Sequence, residues 1–220
     1  MELANEIFHQ IYKRLLIDEC EVIKNERIKQ FAIAAIEMLP EYFFTASASA
    51  SGKYHPQYTL GEGGLARHTL AAVKIALHLL ALEQYKGQFT DDECDCMIAA
   101  LLLHDGWKQG NSEEQQTVHG HPEICANWIM SEKAFRNMLY DEHRKLVSKC
   151  IATHMGEWTV SDKSPVVLKK PSSKAQKFVH MCDYLASRKD VEIVQGEKHQ
   201  CTCGPPTVTG RLIEGSTLMT

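Results

Sequence analysis

Apolar residues recur at helical spacing along most of this chain. One face of the segment 20–38, for example, carries Ile28, Phe31, Ala32 and Ala35. Similar patterns predict amphipathic α-helices over several segments, at about 2–16, 20–38, 64–85, 91–104, 122–138, 141–156 and 172–188. The pattern therefore predicts an all-α fold, a helical bundle in which each helix buries one face.

Caps and turn-forming residues separate these segments. Residues 45–63 have no periodicity but contain many small residues and glycines, which predicts a loop. Thr90 and Glu93 have the spacing of a capping box at the start of a helix. Pro122 suits the first helical position, so His121 is predicted to be the N-cap of the helix that follows.

The composition is typical of one globular domain. The chain has 220 residues, of which 44% are hydrophobic and 24% charged, and its formal net charge is −4. We expect one helical domain over residues 1–190, followed by a short tail or hairpin over 191–220, where helical periodicity ends. So small an acidic excess is not typical of a protein that coats duplex nucleic acid, and no duplex partner is expected.

The sequence contains no run of about 18 apolar residues, so no transmembrane helix and no membrane partner are expected. The first residues, MELANEIF, include acidic side chains, unlike a secretory signal. The cysteines within helical segments, such as Cys125 and Cys150, are expected to be reduced and partly buried, which favours a cytoplasmic location. Cys201 and Cys203 lack a second pair at zinc-ribbon spacing.

Several ionisable residues fall on the apolar faces of predicted helices. His68 lies three residues after Leu65, and His104 and His154 continue the apolar faces of their own helices. Asp183 lies on the apolar face of the last helix. Burying a carboxylate without a partner is costly, so several inward groups of this kind indicate a common cause. A shared cation is such a cause, because imidazoles and carboxylates bind divalent metals.

Each of these residues also has a simpler interpretation. A single inward histidine is most often a core residue that is hydrogen-bonded to a carbonyl group. The dipeptide His104-Asp105 is common and carries little information alone. The combination of several such residues on separate helices is what favours a metal site.

Four segments repeat the order of motifs in a known superfamily. They are GEGGLARHT, LLLHDGWK, GHPEICA and HMCDYLASR, between residues 61 and 188. In this order they resemble the HD-domain superfamily of metal-dependent phosphohydrolases, and most closely the HD domain of bacterial 3′–5′ exoribonucleases. The resemblance covers about residues 40–188 and implies an HD-type helical bundle.

The resemblance also implies a metal centre. A first divalent ion would be bound by four residues, His68, His104, Asp105 and Asp183. A second ion would be bound by His121 and His154, with Asp105 as the bridge. Nitrogen and oxygen ligands without thiolate suit Mn, Mg, Fe, Co or Ni better than structural zinc. One or two such ions per chain are therefore expected.

The activity implied by the resemblance is hydrolysis by metal-activated water. The substrate would be a phosphomonoester or phosphodiester of a nucleotide or short oligonucleotide, or another phosphorylated small molecule. Asp105 and Lys108 would be catalytic, and Lys108 would clamp the phosphate together with His121 and His154. An exposed loop lysine remains the alternative for Lys108.

Three departures from the family leave questions open. Where the family has paired histidines, this chain has His154 followed by Met155, so either a weaker second metal site or direct phosphate contacts by His121 and His154 are possible. No Gly-Tyr-Pro follows this motif, which argues against a cyclic-di-GMP hydrolase. The β-barrel of the exoribonucleases has no counterpart in the about 40 residues before the match.

Two other functions remain open. The chain could be a catalytically silent HD module that binds a nucleotide or a protein partner, or a di-iron dioxygenase, although the extra histidine pair of such oxygenases is not evident.

Trp107 and Trp158 flank two motifs and either cover the core or stack on a base. A group of lysines either attracts a polyanion or forms a solvated surface: Lys163, Lys169, Lys170, Lys174 and Lys177.

Overall fold

The computed structural model describes residues 2–110 and 117–191. Nine α-helices lie in these ranges: α1 (Glu2–Glu19), α2 (Glu26–Glu37), α3 (Tyr42–Thr45), α4 (Gly64–Leu80), α5 (Asp91–Leu103), α6 (His121–Ser131), α7 (Lys133–Met138), α8 (Asp141–Ala152) and α9 (Lys174–Ala186). These ranges contain no β-strand, and their one isolated bridge joins Ser161 to Ser164. The predicted all-α class is confirmed. None of the described helices is long and apolar enough to cross a bilayer.

The predicted C-terminal tail over 191–220 lies, except for Val191, outside the described residues. Its description as a hairpin or loose tail therefore stays a prediction, and so does the boundary at residue 190. The same holds for Cys201 and Cys203.

Two helix boundaries differ from the prediction because polar side chains cap a helix inside a predicted segment. The helix expected over 20–38 begins only at Glu26, where Asn25 accepts a hydrogen bond from the backbone N–H of Arg27 at 3.0 Å. The helix expected over 122–138 is divided in two. Glu132 accepts a hydrogen bond from the backbone N–H of Ala134 at 3.1 Å and so starts α7.

The predicted capping box of Thr90 and Glu93 is present at the start of α5. A second capping box, of Ser173 and Gln176, begins α9 and was not predicted. The predicted N-cap at His121 is wrong by one residue, because Gly120 occupies the cap position and His121 is the first helical residue.

The helices enclose a single apolar cluster in the described residues. α4 packs against α5 and α9, while α8 packs against α5, α6 and α9. Several large side chains of this cluster have no solvent exposure: Phe31, Phe43, Phe44, Phe135, Leu65, Met97 and Leu101. Four helices, α4, α5, α8 and α9, thus meet around one interior region, and the candidate ligands lie there.

The loop between α3 and α4 is held against α4 by Arg67. Its guanidinium donates to the carbonyl oxygens of Tyr58 at 2.5 Å, of Glu62 at 2.8 Å and of Leu60 at 3.0 Å. It also contacts the hydroxyl of Tyr12 in α1. The planar fork of one arginine thereby fixes the end of the loop immediately before α4.

The loop enters α4 through a close backbone approach at Gly64. A Cβ atom at this position would lie 2.1 Å from the carbonyl oxygen of Thr59. At the preceding Gly63, φ is 69° and a Cβ atom would lie 2.0 Å from the ring of Tyr12. Glycine is required at both positions, because a Cβ atom at Gly64 would collide with the backbone of the loop, and one at Gly63 would collide with the ring of Tyr12 in α1.

The cysteines in the described residues are free thiols. Burial raises the pKa of Cys20 and of Cys150 to about 12, and it raises the pKa of Cys125 above its ordinary value. Because the thiolate is the nucleophile and the metal ligand, these thiols act as small apolar packing groups.

Candidate metal centre

The predicted ligands converge from separate parts of the chain. His68 lies in α4 and Asp183 in α9, while His104 and Asp105 directly follow α5. His121 begins α6, and His154 lies in the turn two residues after α8 ends. His104 and His154 were expected within helices. Their positions just beyond the helix ends bring them to the same interior region as the other ligands.

A first cluster consists of His68, His104 and Asp183. Nε2 of His68 lies 3.0 Å from Oδ1 of Asp183 and 3.3 Å from Nε2 of His104. Nε2 of His104 lies 3.4 Å from the same carboxylate oxygen. Oδ2 of Asp105 completes the group, at 3.6 Å from His104 and 3.8 Å from His68.

A second cluster consists of His121, His154 and the other oxygen of Asp105. Oδ1 of Asp105 lies 3.0 Å from Nε2 of His121 and 3.6 Å from Nε2 of His154. The two Nε2 atoms are 3.2 Å apart. Asp105 therefore faces the first cluster with one oxygen and the second cluster with the other.

The two clusters are almost completely enclosed. The ring of His104 has no solvent exposure, and those of His68, His121 and His154 have almost none. The side chain of Asp105 is 2% exposed, whereas that of Asp183 is 16% exposed. The centre thus opens towards solvent on the side of Asp183.

The backbone fixes the tautomers of three histidines. In each, Nδ1–H donates to the carbonyl oxygen three residues earlier: His104 to Leu101 at 2.7 Å, His121 to Val118 at 2.7 Å and His154 to Ile151 at 2.8 Å. A carbonyl oxygen can only accept, so the proton must be on Nδ1. In the neutral rings, Nε2 carries a lone pair that points into the centre.

These tautomers place acceptors opposite one another. The Nε2 lone pairs of His121 and His154 face each other, and Oδ1 of Asp105 receives no hydrogen bond from the described residues. Protonation of His121 does not remove this conflict near neutral pH, because burial lowers its pKa to about 4. A divalent cation placed among these acceptors would satisfy them, so the donor set fits such a metal.

The carboxylates remain charged despite their burial. Burial raises the pKa of Asp105, but Lys108 and His104 hold it well below its ordinary value. The pKa of Asp183 is likewise lowered by His104 and His68 against the effect of burial. Burial lowers the pKa of His104, yet the neighbouring Asp105 and Asp183 raise it above its ordinary value. The site therefore keeps two ionised carboxylates, which are ligands for a divalent ion.

Lys108 is directed into this centre. Its Nζ lies 2.5 Å from Oδ2 of Asp105, and its side chain is largely buried. The alternative of an exposed loop lysine therefore does not hold. A cavity of about 400 Å³ adjoins Lys108 and is lined mainly by small and polar residues, among them Thr45, Ser47 and Glu62.

Two histidines near the centre were not singled out from the sequence. The ring of His55 lies 5.5 Å from that of His68 between centroids, and burial lowers its pKa to about 4. His180 donates from Nδ1 to the carbonyl oxygen of His154 at 2.6 Å. His55 lies in the aperiodic loop, where residue spacing does not predict which side chains point inwards. His180 precedes Asp183 by three residues on the same helix, so its helical spacing to this candidate ligand was a signal that could have identified it.

The remaining candidates divide between core and surface. Trp107 packs edge-to-face on Trp128, with ring centroids 5.7 Å apart, as a residue that covers the core does. Trp158 is half exposed. The predicted group of lysines is exposed throughout, and Lys170 forms an ion pair with Glu157.

Two groups of donor atoms are compact enough to hold an ion: His68, His104 and Asp183, and His104, Asp105 and His154, each within 4.8 Å of one another. The geometry thus agrees with a metal centre built from nitrogen and oxygen ligands. Comparisons with protein-family models, with curated proteins and with solved structures gave no match to this chain.

Proposed function

We propose that this chain is an HD-type, metal-dependent phosphohydrolase that acts on a nucleotide or short oligonucleotide. The observation that carries the proposal is the contact between the Nε2 atoms of His121 and His154, 3.2 Å apart, when both Nδ1 atoms already donate to the backbone. Such a pair of buried acceptors is unfavourable unless a cation lies between them. The order of motifs, which resembles the HD superfamily, supports the same proposal.

The two clusters would hold the ions. His68, His104 and Asp183 would bind a first ion together with Asp105, and His121 and His154 would bind a second one through the other oxygen of Asp105. A divalent ion supplies a Lewis acid that lowers the pKa of water and offsets negative charge on a phosphoryl group.

The chain's own residues would orient the substrate. Lys108 carries a positive charge beside Asp105, and a phosphate placed there would accept a hydrogen bond from its ammonium group. The buried walls exclude bulk water, which strengthens each electrostatic contact with the phosphate. The exposure of Asp183 gives the substrate a side from which to approach.

The first test is the metal content of protein purified without chelator, together with phosphate release from nucleotides and phosphodiesters in the presence of that metal. Asp105→Asn keeps the shape of the side chain but removes the charge shared by both clusters. We expect this variant to lose bound metal and to lower turnover by at least about 100-fold, equivalent to about 2.7 kcal/mol of transition-state stabilisation.

Asp95→Asn is the matched control. Asp95 is also a buried aspartate, on α5, and accepts a hydrogen bond from the backbone N–H of Asn25 at 2.7 Å, which an asparagine can also accept. It should retain metal and activity. Bound metal and nucleotide without phosphate release would indicate a silent binding module, and oxygen consumption with iron would indicate an oxygenase. Absence of bound metal in the unaltered protein would contradict the proposal.

A further inference from the structure

Two exposed aromatic rings are stacked beside the open side of the metal centre. Trp158 and Tyr184 are nearly parallel, at 17°, with centroids 5.8 Å apart. Trp158 is 50% exposed and Tyr184 37% exposed. Tyr184 directly follows the ligand Asp183, and Trp158 lies four residues after the ligand His154. Two distant parts of the chain thus bring large aromatic rings together at the surface.

Arg188 and Tyr54 extend this stack. The guanidinium carbon of Arg188 lies 4.4 Å from the ring centre of Tyr184, 5.3 Å from that of Tyr54 and 5.9 Å from that of Trp158. Tyr54 is also exposed, and the ammonium group of Lys53 lies 5.0 Å from its ring centre. We call Tyr54, Trp158, Tyr184 and Arg188 the aromatic platform.

The platform adjoins the metal centre on two sides. Tyr54 precedes His55, whose ring lies against His68 of the first cluster. On the other side, His180 lies 6.4 Å from Trp158 and 6.1 Å from Tyr184 between centroids. His180 also donates to the carbonyl oxygen of His154 in the second cluster. Asp183, the most exposed of the candidate ligands, directly precedes Tyr184 of the platform.

Core packing does not explain the platform. The apolar core of the described residues does not include these rings, and Trp158, Tyr184 and Tyr54 remain exposed to solvent. Exposed aromatic rings grouped around a cation are, however, suited to a planar ligand that carries negative charge. A nucleobase stacks on such rings whatever its identity, and an arginine adds a cation–π contact or pairs with a phosphate.

We propose that the aromatic platform binds the base of the substrate, so that a phosphate of the same nucleotide reaches the metal centre. This inference rests on the proposed function and names the base as the group that distinguishes substrates. Positive charge from Arg188 and Lys53 complements the phosphate. The nearby carboxylate of Glu157 is already paired with Lys170. A sugar phosphate that lacks a base would bind poorly at the platform.

The test is equilibrium binding, measured by calorimetry with the full chain in EDTA, so that hydrolysis plays no part. Adenosine 5′-monophosphate is compared with ribose 5-phosphate, which carries an anomeric hydroxyl in place of the base. We expect the nucleotide to bind more tightly and to quench the fluorescence of Trp158. Trp158→Ala and Tyr184→Ala should each weaken nucleotide binding by about tenfold, which corresponds to about 1.4 kcal/mol. Trp158→Phe should restore most of the affinity.

Tyr140→Ala is the matched control. Tyr140 is also an exposed tyrosine with an arginine over its ring, since Arg27 lies 4.6 Å from the ring centre. It precedes α8, at the end remote from His154. This variant should bind the nucleotide like the unaltered protein. Equal affinity for the two phosphates, or unchanged binding by Trp158→Ala, would overturn the proposal, whether or not the protein hydrolyses phosphate esters.

Discussion

At the scale of the residue, the histidines of the centre differ from ordinary core histidines in where their second nitrogen points. A core histidine usually satisfies one nitrogen with a carbonyl group and leaves the other to water or to a donor. His121 and His154 satisfy Nδ1 in this way but direct Nε2 at each other. A metal ligand must have such a free lone pair, and its other nitrogen is normally held by an outer partner.

Another buried carboxylate lies outside the centre, where the charge of Lys74 only partly offsets the effect of burial. Glu19, at the end of α1, is buried, and its Oε1 accepts no hydrogen bond from them. Burial raises the pKa of this carboxyl above its ordinary value. Between the ordinary and the raised pKa the folded protein binds more protons than the unfolded chain, so the stability falls as pH rises through this interval.

We therefore expect Glu19→Gln to increase the free energy of unfolding at pH 7 by about 1 kcal/mol, because the neutral amide avoids the burial of a charge. The gain should shrink as pH is lowered below the ordinary pKa of a glutamate, where the carboxyl is protonated in both states. Urea denaturation at several pH values measures the difference. Glu37→Gln, an exposed glutamate at the end of α2, is the control and should show no such pH dependence.

Sequence periodicity could identify residues of the centre but not the direction of their nitrogen atoms. His68 and Asp183 lie on helices, so their inward placement followed from their spacing to apolar neighbours. The tautomers depend on hydrogen bonds to carbonyl groups that only the folded backbone defines. His55 could not be found in this way, because its loop has no repeating spacing.

At the scale of the element, the sequence predicted most helices but not all of their ends. The long apolar patterns of α4 and α5 are strong enough to define a helix. Helix ends depend instead on single capping side chains. The side chains of Asn25 and Glu132 accept backbone hydrogen bonds and so start a new helix inside a segment predicted to be one continuous helix. The spacing of apolar residues does not show where such a side chain interrupts a helix.

The loop before α4 depends on one side chain. Arg67→Lys keeps the charge but cannot donate to three carbonyl groups at fixed angles, so those oxygens lose their partners. We expect the free energy of unfolding to fall by about 2 kcal/mol, and the loop residues, including Tyr54 and His55, to exchange amide hydrogens faster. Chemical denaturation and hydrogen exchange measure the two effects.

Arg136→Lys provides the comparison for this substitution. Arg136 is an exposed arginine on α7, far in sequence from the loop, and its replacement should change stability by less than about 0.5 kcal/mol. If Arg67→Lys were as mild as Arg136→Lys, the three carbonyl contacts would not be holding the loop.

At the scale of the whole molecule, the centre joins segments that are distant in sequence. Its residues come from α4, from the ends of α5 and α8, and from the beginnings and interiors of α6 and α9. The sequence could predict this convergence only through the chemical argument that buried charges need a common partner. Which helices pack together, and how they are oriented, depends on the combined shape of many side chains.

The proposed metal centre therefore predicts that removal of its ion destabilises the entire domain. With metal at about 1,000 times its dissociation constant, binding would contribute about 4 kcal/mol, so chelation should lower Tm by about 10 °C. Calorimetry before and after EDTA treatment, followed by addition of Mn²⁺, measures the change. Asp105→Asn should have the lower Tm already and should not respond to either treatment, whereas a Tm of the unaltered protein that is insensitive to EDTA would contradict a metal centre.

The hydrogen bonds from His104, His121 and His154 each span only three residues. The orientation of each imidazole ring is therefore determined by a short segment of its own backbone. The rest of the protein has only to pack these segments next to one another. Substitutions in the core would then change the distances between these segments without rotating the imidazole rings. Sequences with little identity to this chain would then retain the same arrangement of histidines.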